Sequence, residues 1–169
     1  MFEKFGEFDS VEELNRAAAA QKEQGDDEAV ISLAIENGLD KEDAEDYIDG
    51  CVDELATPVM AAVGKLNMEA KELKLEGVLM DWKEELQRMC MDDQEMCAAV
   101  RKKGKSLCNC LAGMLRFAFE NKVQVSEAVV KATKVTHNEK EEPMRGPVYL
   151  GMPNRKEVRE LAEKYYLGR

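Results

Sequence analysis

The string Gly104-Lys105-Ser106 spells the end of a phosphate-binding loop, in which glycines let backbone N–H groups close around phosphate oxygens while a lysine and a hydroxyl complete the site. That chemistry needs another glycine five positions before Gly104, where Ala99 stands, and a helical pattern rather than a strand precedes it. Thiolates are the next candidates. Cys108 and Cys110 are spaced C-x-C, and Cys90 and Cys97 lie seven apart on one helical face. Zinc sites draw on C-x-x-C pairs or on cysteine with histidine, and His137 is the single histidine of the chain. The cysteines therefore read as small apolar residues at helix interfaces. His137 sits in a polar segment with no serine or cysteine nucleophile beside it, so a general base there has nothing to activate. Carboxylates are too numerous for one acid and base couple to stand out. The expectation is a protein that is not an enzyme, with no catalytic residue, no metal and no cofactor assigned.

What remains is charge, and it is unevenly placed. Residues 1–99 carry 27 Asp/Glu against 9 Lys/Arg, net −18, whereas residues 100–169 carry 8 against 15, net +7. Such asymmetry points to electrostatic partners rather than to a particular fold. Seven carboxylates and no basic residue fall between Glu42 and Glu54. Among them Glu42, Glu45, Asp46, Asp49 and Asp53 repeat at helical spacing and form the candidate partner-binding stripe. Drawn as one helix, that segment spans about 20 Å, or roughly one charge per 3 Å, close to the one per about 3.4 Å of a nucleic-acid single strand. The stripe could thus stand in for nucleic acid, although acidic solvent faces also serve solubility alone. The opposite reading belongs to Arg101, Lys102, Lys103 and Lys105, reinforced by Arg116 and Lys122, which could contact phosphate oxygens of duplex DNA. Cations at a helix C-terminus favoured by its dipole, or an internal match to the acidic half, would account for that cluster equally well.

The elements that must carry these residues are nearly all helical. Ser10 with Glu13 opens a helix with Val11, Leu14 and Ala18 inward, ended by Gly25. A second, with Ala29, Val30, Leu33 and Ala34 inward, stops at Asn37-Gly38. Asp40 caps a third, whose apolar face is Ala44, Tyr47, Ile48, Cys51 and Leu55 and whose other face is the acidic stripe. Thr57-Pro58 begins a fourth with Val59, Val63, Leu66 and Ala70 on one side. Gly77 precedes a fifth, with Leu79, Trp82, Leu86 and Met89 inward. Met96, Cys97 and Val100 belong to a sixth that Gly104 divides from a seventh, where Leu107, Leu111, Met114, Leu115 and Ala118 face inward. Ser126 caps a short helix running to about Lys134. Val135-Thr136 and Val148-Tyr149-Leu150 then form a small hairpin across a long polar connection. Asn154 with Glu157 opens a final helix with Val158, Leu161, Ala162 and Tyr165 inward.

The expected fold is mainly α: a compact multi-helix domain with a small β-hairpin near the C-terminus, residues 1–122 forming the acidic-to-basic helical part and 123–169 a helix, hairpin and terminal helix packed on it. At 169 residues and 44% hydrophobic, the chain can bury a core without staples. Five cysteines without a framework, an opening MFEKFGEFDS unlike a secretory signal, and no apolar run near the roughly 18 residues of a membrane span fit a soluble protein of a reducing cytoplasm.

Four strings carry a resemblance: FEKFGEFDSVEELN at the start, EDAEDYIDG from Glu42 to Gly50, AVRKKGKSL from Ala99 to Leu107, and YYLG from Tyr165 to Gly168. Together they resemble a family of small acidic proteins encoded on mobile elements of gut bacteria, some of which are anti-CRISPR inhibitors of the type II effector nuclease. The resemblance covers nearly the whole chain, names no chemical mechanism and transfers no functional residue. It implies that the partner is a type II effector nuclease loaded with guide RNA. Such a nuclease holds nucleic acid in positively charged channels, so the resemblance agrees with the charge map.

Overall fold

In the computed structural model residues 4–169 are described, so the first two residues of the opening string, Phe2 and Glu3, lie outside them. Among the described residues the chain is 61% helical, in nine helices with two small antiparallel sheets, so the mainly α fold expected from the sequence is the one observed. The helices are α1 (Val11–Glu23), α2 (Asp27–Glu36), α3 (Lys41–Ile48), α4 (Pro58–Glu72), α5 (Val78–Asp92), α6 (Gln94–Arg101), α7 (Leu107–Glu120), α8 (Glu127–Ala132) and α9 (Arg155–Tyr166).

Local chemistry sets most of these boundaries. The Ser10 hydroxyl accepts from the Glu13 N–H at 3.2 Å and opens α1. Thr57 does the same for Met60 with Pro58 at the first helical position, and Asn154 with Glu157 closes a reciprocal capping box on α9. Gly104 at φ +78° separates α6 from α7, as its position suggested.

Three expectations are corrected. The third helix ends at Ile48 rather than continuing to Leu55. Gly50 adopts φ +77°, and the Cys51 N–H turns back to the Asp46 carbonyl at 2.8 Å, a left-handed C-cap that wins over the continuing apolar spacing. Leu55 still reaches the core from an irregular segment, but Cys51 is exposed. Near the C-terminus, the run 135–136 does not pair with 148–150. The polar connection itself supplies the partner strand: β2 (Lys134–His137), which contains that run, pairs with β3 (Lys140–Pro143) about a two-residue turn in which Asn138 and Glu139 both have positive φ. Strand β4 (Tyr149–Leu150) pairs with β1 (Val123–Gln124). Finally, Leu115 and Tyr165, both expected inward, are exposed and half-buried respectively, and Tyr166 occupies the core position on α9.

The core forms two clusters that share α4. Leu14, Val30, Leu33, Tyr47, Leu55 and Ala61 belong to the first, which holds α1 to α3 together. Leu66, Trp82, Leu86, Met96, Met114 and Val158 represent the second, which joins α4 to α7 with α9. Where α2 ends it crosses α4 backbone against backbone: a Cβ on Gly38 would stand 2.2 Å from the Gly64 carbonyl oxygen, and one on Gly64 would stand 2.5 Å from that of Asn37.

A polar seam also links the clusters. Lys65 is buried and donates to Glu7 Oε1 at 2.9 Å and to the Lys102 and Lys105 carbonyls at 3.2 and 2.9 Å. Arg101 donates to the side-chain oxygen of Asn37, and Glu69 accepts from the Leu107 N–H at 3.1 Å. Burial raises the Glu69 carboxyl against that hydrogen bond and against Lys65, while burial lowers the Arg101 guanidinium. No helix among the described residues is long and apolar enough to cross a membrane.

Candidate functional site

The acidic segment is held in place by α1 and α2. Asn15 of α1 exchanges two hydrogen bonds with the Ala56 backbone, at 2.9 and 3.0 Å, and so fixes the chain that leaves α3 and re-enters α4. Lys22, also on α1, donates to the Tyr47 carbonyl at 2.5 Å and lies 4.5 Å from the centre of the Tyr47 ring, which ties down the C-terminal end of α3. Ala44, Tyr47, Leu55 and Ala56 are buried beneath.

All five residues of the expected stripe are exposed, but they do not form one ridge. Glu42, Glu45 and Asp46 lie on α3, Asp49 is its C-cap, and Asp53 lies in the irregular segment beyond. The straight 20 Å rod and its charge spacing therefore do not exist; α3 itself is only about 12 Å long. Instead the chain after Gly50 curls back, so that Asp53 and Glu54 join Asp43 and Asp46 around a shallow concavity of about 570 Å³ with Val52, Leu55 and Met60 among its lining. Asp43 and Glu54 are site residues that the helical-stripe reading omitted, because it sorted carboxylates by helical phase. Their membership in an unbroken acidic run was the available signal.

This surface is electrostatically unbalanced. Of the seven carboxylates from Glu42 to Glu54, Glu45 alone among the described residues has an ion pair, to Lys41 at 2.6 Å. No basic residue lies in the last turn of α3, and Asp49 caps its C-terminus. Anionic groups there oppose the helix dipole. The acidic and basic halves meet elsewhere, where Arg155 and Arg159 pair with Glu85 at 2.9 and 2.5 Å, Arg159 with Asp92 at 3.3 Å and Arg169 with Asp93 and Glu95 at 3.7 and 3.1 Å, and where Asp9 accepts from the Lys103 N–H at 2.9 Å.

The basic cluster is smaller than its sequence suggests. Arg101 is only 1% exposed and belongs to the internal seam, which corrects its assignment as a nucleic-acid contact. Its position four residues after Cys97 continues the inner face of α6, a phase that the run of cations obscured. Lys105 donates to the Tyr165 carbonyl at 2.7 Å and lies over the Tyr165 ring. Lys102 and Lys103 remain exposed.

The other candidates are placed as follows. Ser106 caps α7, and the first N–H groups of that helix already face the Ser106 hydroxyl and the Glu69 carboxylate, where a phosphate-binding loop would present them to a ligand. Cys108 is exposed and Cys110 buried, so the C-x-C pair faces opposite ways, while the Cys97 thiol donates to the Cys90 carbonyl at 2.8 Å. His137 stands exposed at the end of β2, opposite Lys140.

Fold and surface together define a helical protein that presents uncompensated carboxylates on a concave, partly apolar floor. The chain matches no protein-family model, no curated protein and no solved structure with which it was compared.

Proposed function

We propose that the protein is a non-enzymatic inhibitor that docks its carboxylate surface into a cationic nucleic-acid channel of a guide-loaded type II CRISPR effector nuclease in the bacterial cytoplasm, and so blocks binding or cleavage of DNA. The observation that carries this reading is the shortage of internal counter-ions around Glu42, Asp43, Asp46, Asp49, Asp53 and Glu54. A folded chain that wanted only solubility could intersperse cations; this one clusters anions along α3 and past its end, where Asp49 at the C-cap opposes the helix dipole. Long-range attraction would then speed the encounter, and a partner's Lys or Arg side chains would find carboxylates on the rim and Val52 and Met60 beneath them. The string from Glu42 to Gly50 that resembles the anti-CRISPR family falls on this surface.

The test is reconstitution with the guide-loaded nuclease. The protein should comigrate with it and suppress binding of target DNA, less so as salt rises. Reversing Glu42, Glu45, Asp46, Asp49 and Asp53 to lysine should weaken inhibition by at least about tenfold while helical circular dichroism is retained. Unchanged cleavage at a large molar excess of the protein overturns the reading. A mobility-shift titration with duplex DNA alone separates this function from direct DNA binding through Lys102 and Lys103, which would give a steep loss of affinity with salt.

A further inference from the structure

Helix α7 is apolar on two faces. Its inner face supplies Leu107, Leu111, Met114 and Ala118 to the core. Its outer face carries Cys108, Ala112, Leu115 and Phe119, all exposed and spaced four, three and four residues apart, which aligns them in one stripe. Leu115 is 44% and Phe119 65% exposed. A surface helix normally shows water a polar face there. The apolar surface goes on past the helix end. Gly151 is pressed against the Ala118 carbonyl, and its neighbours Leu150 and Met152 are exposed, as is Val123 opposite Leu150. Leu115, Phe119, Val123, Leu150 and Met152 offer on the order of 500 Å² between them, at the upper end of what a monomer usually leaves open and more than half of the ~800 Å² that each partner buries in a standard interface.

Beside the stripe runs a groove of about 500 Å³ between α7 and α9, lined by Ala112, Gly113, Leu161 and Tyr165, with Arg116 and Lys164 on its rim. Gly113 lies inside the helix, where glycine is unfavourable, yet a Cβ added to it would meet nothing in this chain. The protein's own packing leaves that space open.

We propose that two copies of the chain pair through this face, their α7 helices antiparallel about a two-fold axis near Leu115, with Phe119 of each copy seated on Ala112 of the other. The stripe itself selects this occupant. Its first half is small, Cys108 and Ala112, and its second half is large, Leu115 and Phe119. Phe119 lies four residues beyond Leu115, about 6 Å, and Ala112 three residues before it, about 4.5 Å. An antiparallel two-fold at Leu115 therefore sets each Phe119 opposite Ala112 of the other copy to within about 1.5 Å, whereas a parallel pairing stacks Phe119 on itself and leaves Ala112 facing a gap. The ring of Phe119 has Lys122 of its own chain 5.4 Å from its centre. Each chain carries a net charge of −11 and the rim of this face is cationic, so charge opposes the pairing and apolar burial drives it.

This inference is independent of the carboxylate surface, which belongs to the other core cluster, and salt separates the two: raising it weakens a contact made by the acids and tightens this one. Sedimentation equilibrium of the full chain up to about 100 μM should show a monomer–dimer equilibrium that shifts toward dimer between low and high salt. Phe119→Asp, which removes the knob, and Ala112→Glu, which puts a charge where the knob sits, should each raise the dissociation constant at least about tenfold with unchanged circular dichroism. In a Cys51→Ser, Cys108→Ser background, Leu115→Cys should be joined to a second copy by a short bismaleimide. A chain that stays monomeric throughout overturns the proposal, as does a dimer indifferent to both variants, or one in which Leu115→Cys is not cross-linked.

Discussion

Two glycines inside helices, Gly64 in α4 and Gly113 in α7, should respond to the same substitution with opposite sign. Glycine in a helix interior costs about 1 kcal/mol against alanine. At Gly113 an added methyl meets nothing within 4 Å, so Gly113→Ala should stabilise the dilute protein by about 1 kcal/mol. At Gly64 the same methyl would stand 2.5 Å from the Asn37 carbonyl oxygen and 3.1 Å from that of Gly38. Both obstacles are backbone, so relief requires α2 to move away from α4 by about 0.7 Å or more, loosening Leu33, Ala34 and Leu39 around them. Overpacking of this kind costs about 1–3 kcal/mol, which exceeds the gain in helix propensity. Gly64→Ala is therefore expected to destabilise by about 1–2 kcal/mol, a difference of about 2–3 kcal/mol between two chemically identical changes. Urea unfolding followed by far-ultraviolet circular dichroism reads it directly, as does a melting temperature lower by about 3–6 °C for Gly64→Ala. Equal stabilisation by both alanines would refute a close backbone approach between α2 and α4, and with it the packing that seats α3.

Other parts of the chain give sharper single readouts. Burial alone would raise the Glu85 carboxyl, but hydrogen bonds from Arg155, Arg159 and Arg88 hold it at about 2, below its ordinary 4.5. Its contribution is therefore present above about pH 4.5 and fades as pH falls toward 2, and since Arg155 and Arg88 are more than half exposed, Glu85→Gln should cost only about 1–2 kcal/mol at pH 7. Denaturation curves of the two proteins should converge near pH 2. Of the five thiols, Cys51 and Cys108 should react with a thiol reagent in the native state, whereas Cys90, Cys97 and Cys110 should wait for unfolding, burial having raised all three, Cys110 to about 12. Gly50→Ala has open space for its methyl but keeps φ +77°, so urea titration should show a loss of about 1–2 kcal/mol from backbone strain alone.

What could be read from the sequence was decided within a few residues. Caps at Ser10, Thr57 and Asn154 involve partners three positions away, so the starts of α1, α4 and α9 follow from local chemistry. Competing local signals explain the misreadings. Spacing from Ala44 to Leu55 continued the helix on paper, while Gly50 offered a left-handed turn that ended it. Val148 to Leu150 had the composition of a hairpin partner, yet Asn138-Glu139 could turn the chain two residues after β2 and claimed the pairing first. The buried seam was hidden for a different reason. Lys65 and Glu69 share the inner face of α4 with Leu66, and only the long-range arrival of Glu7, the 102–107 loop and α6 makes burial of their charges tolerable. The concave acidic surface depended on the same kind of information, since it arises where the turn after Gly50 brings Asp53 and Glu54 back beside Asp43 and Asp46.

Asp49 separates a solvated acid from a working one. As the C-cap of α3 it opposes the helix dipole and has no ion pair among the described residues, so Asp49→Lys should stabilise the fold, by about 0.5 kcal/mol at low salt. If the surface docks into a cationic channel, the same substitution puts a like charge against the partner and should weaken inhibition of the nuclease several-fold, mainly through slower association. Stability and inhibition then move in opposite directions, which no unfolding artefact can imitate, because a damaged protein loses both. A lysine that stabilises the chain and leaves inhibition intact would place Asp49 outside the contact. Should the same hold in turn for Glu42, Asp46 and Asp53, the carboxylates would be doing nothing beyond keeping the protein in solution.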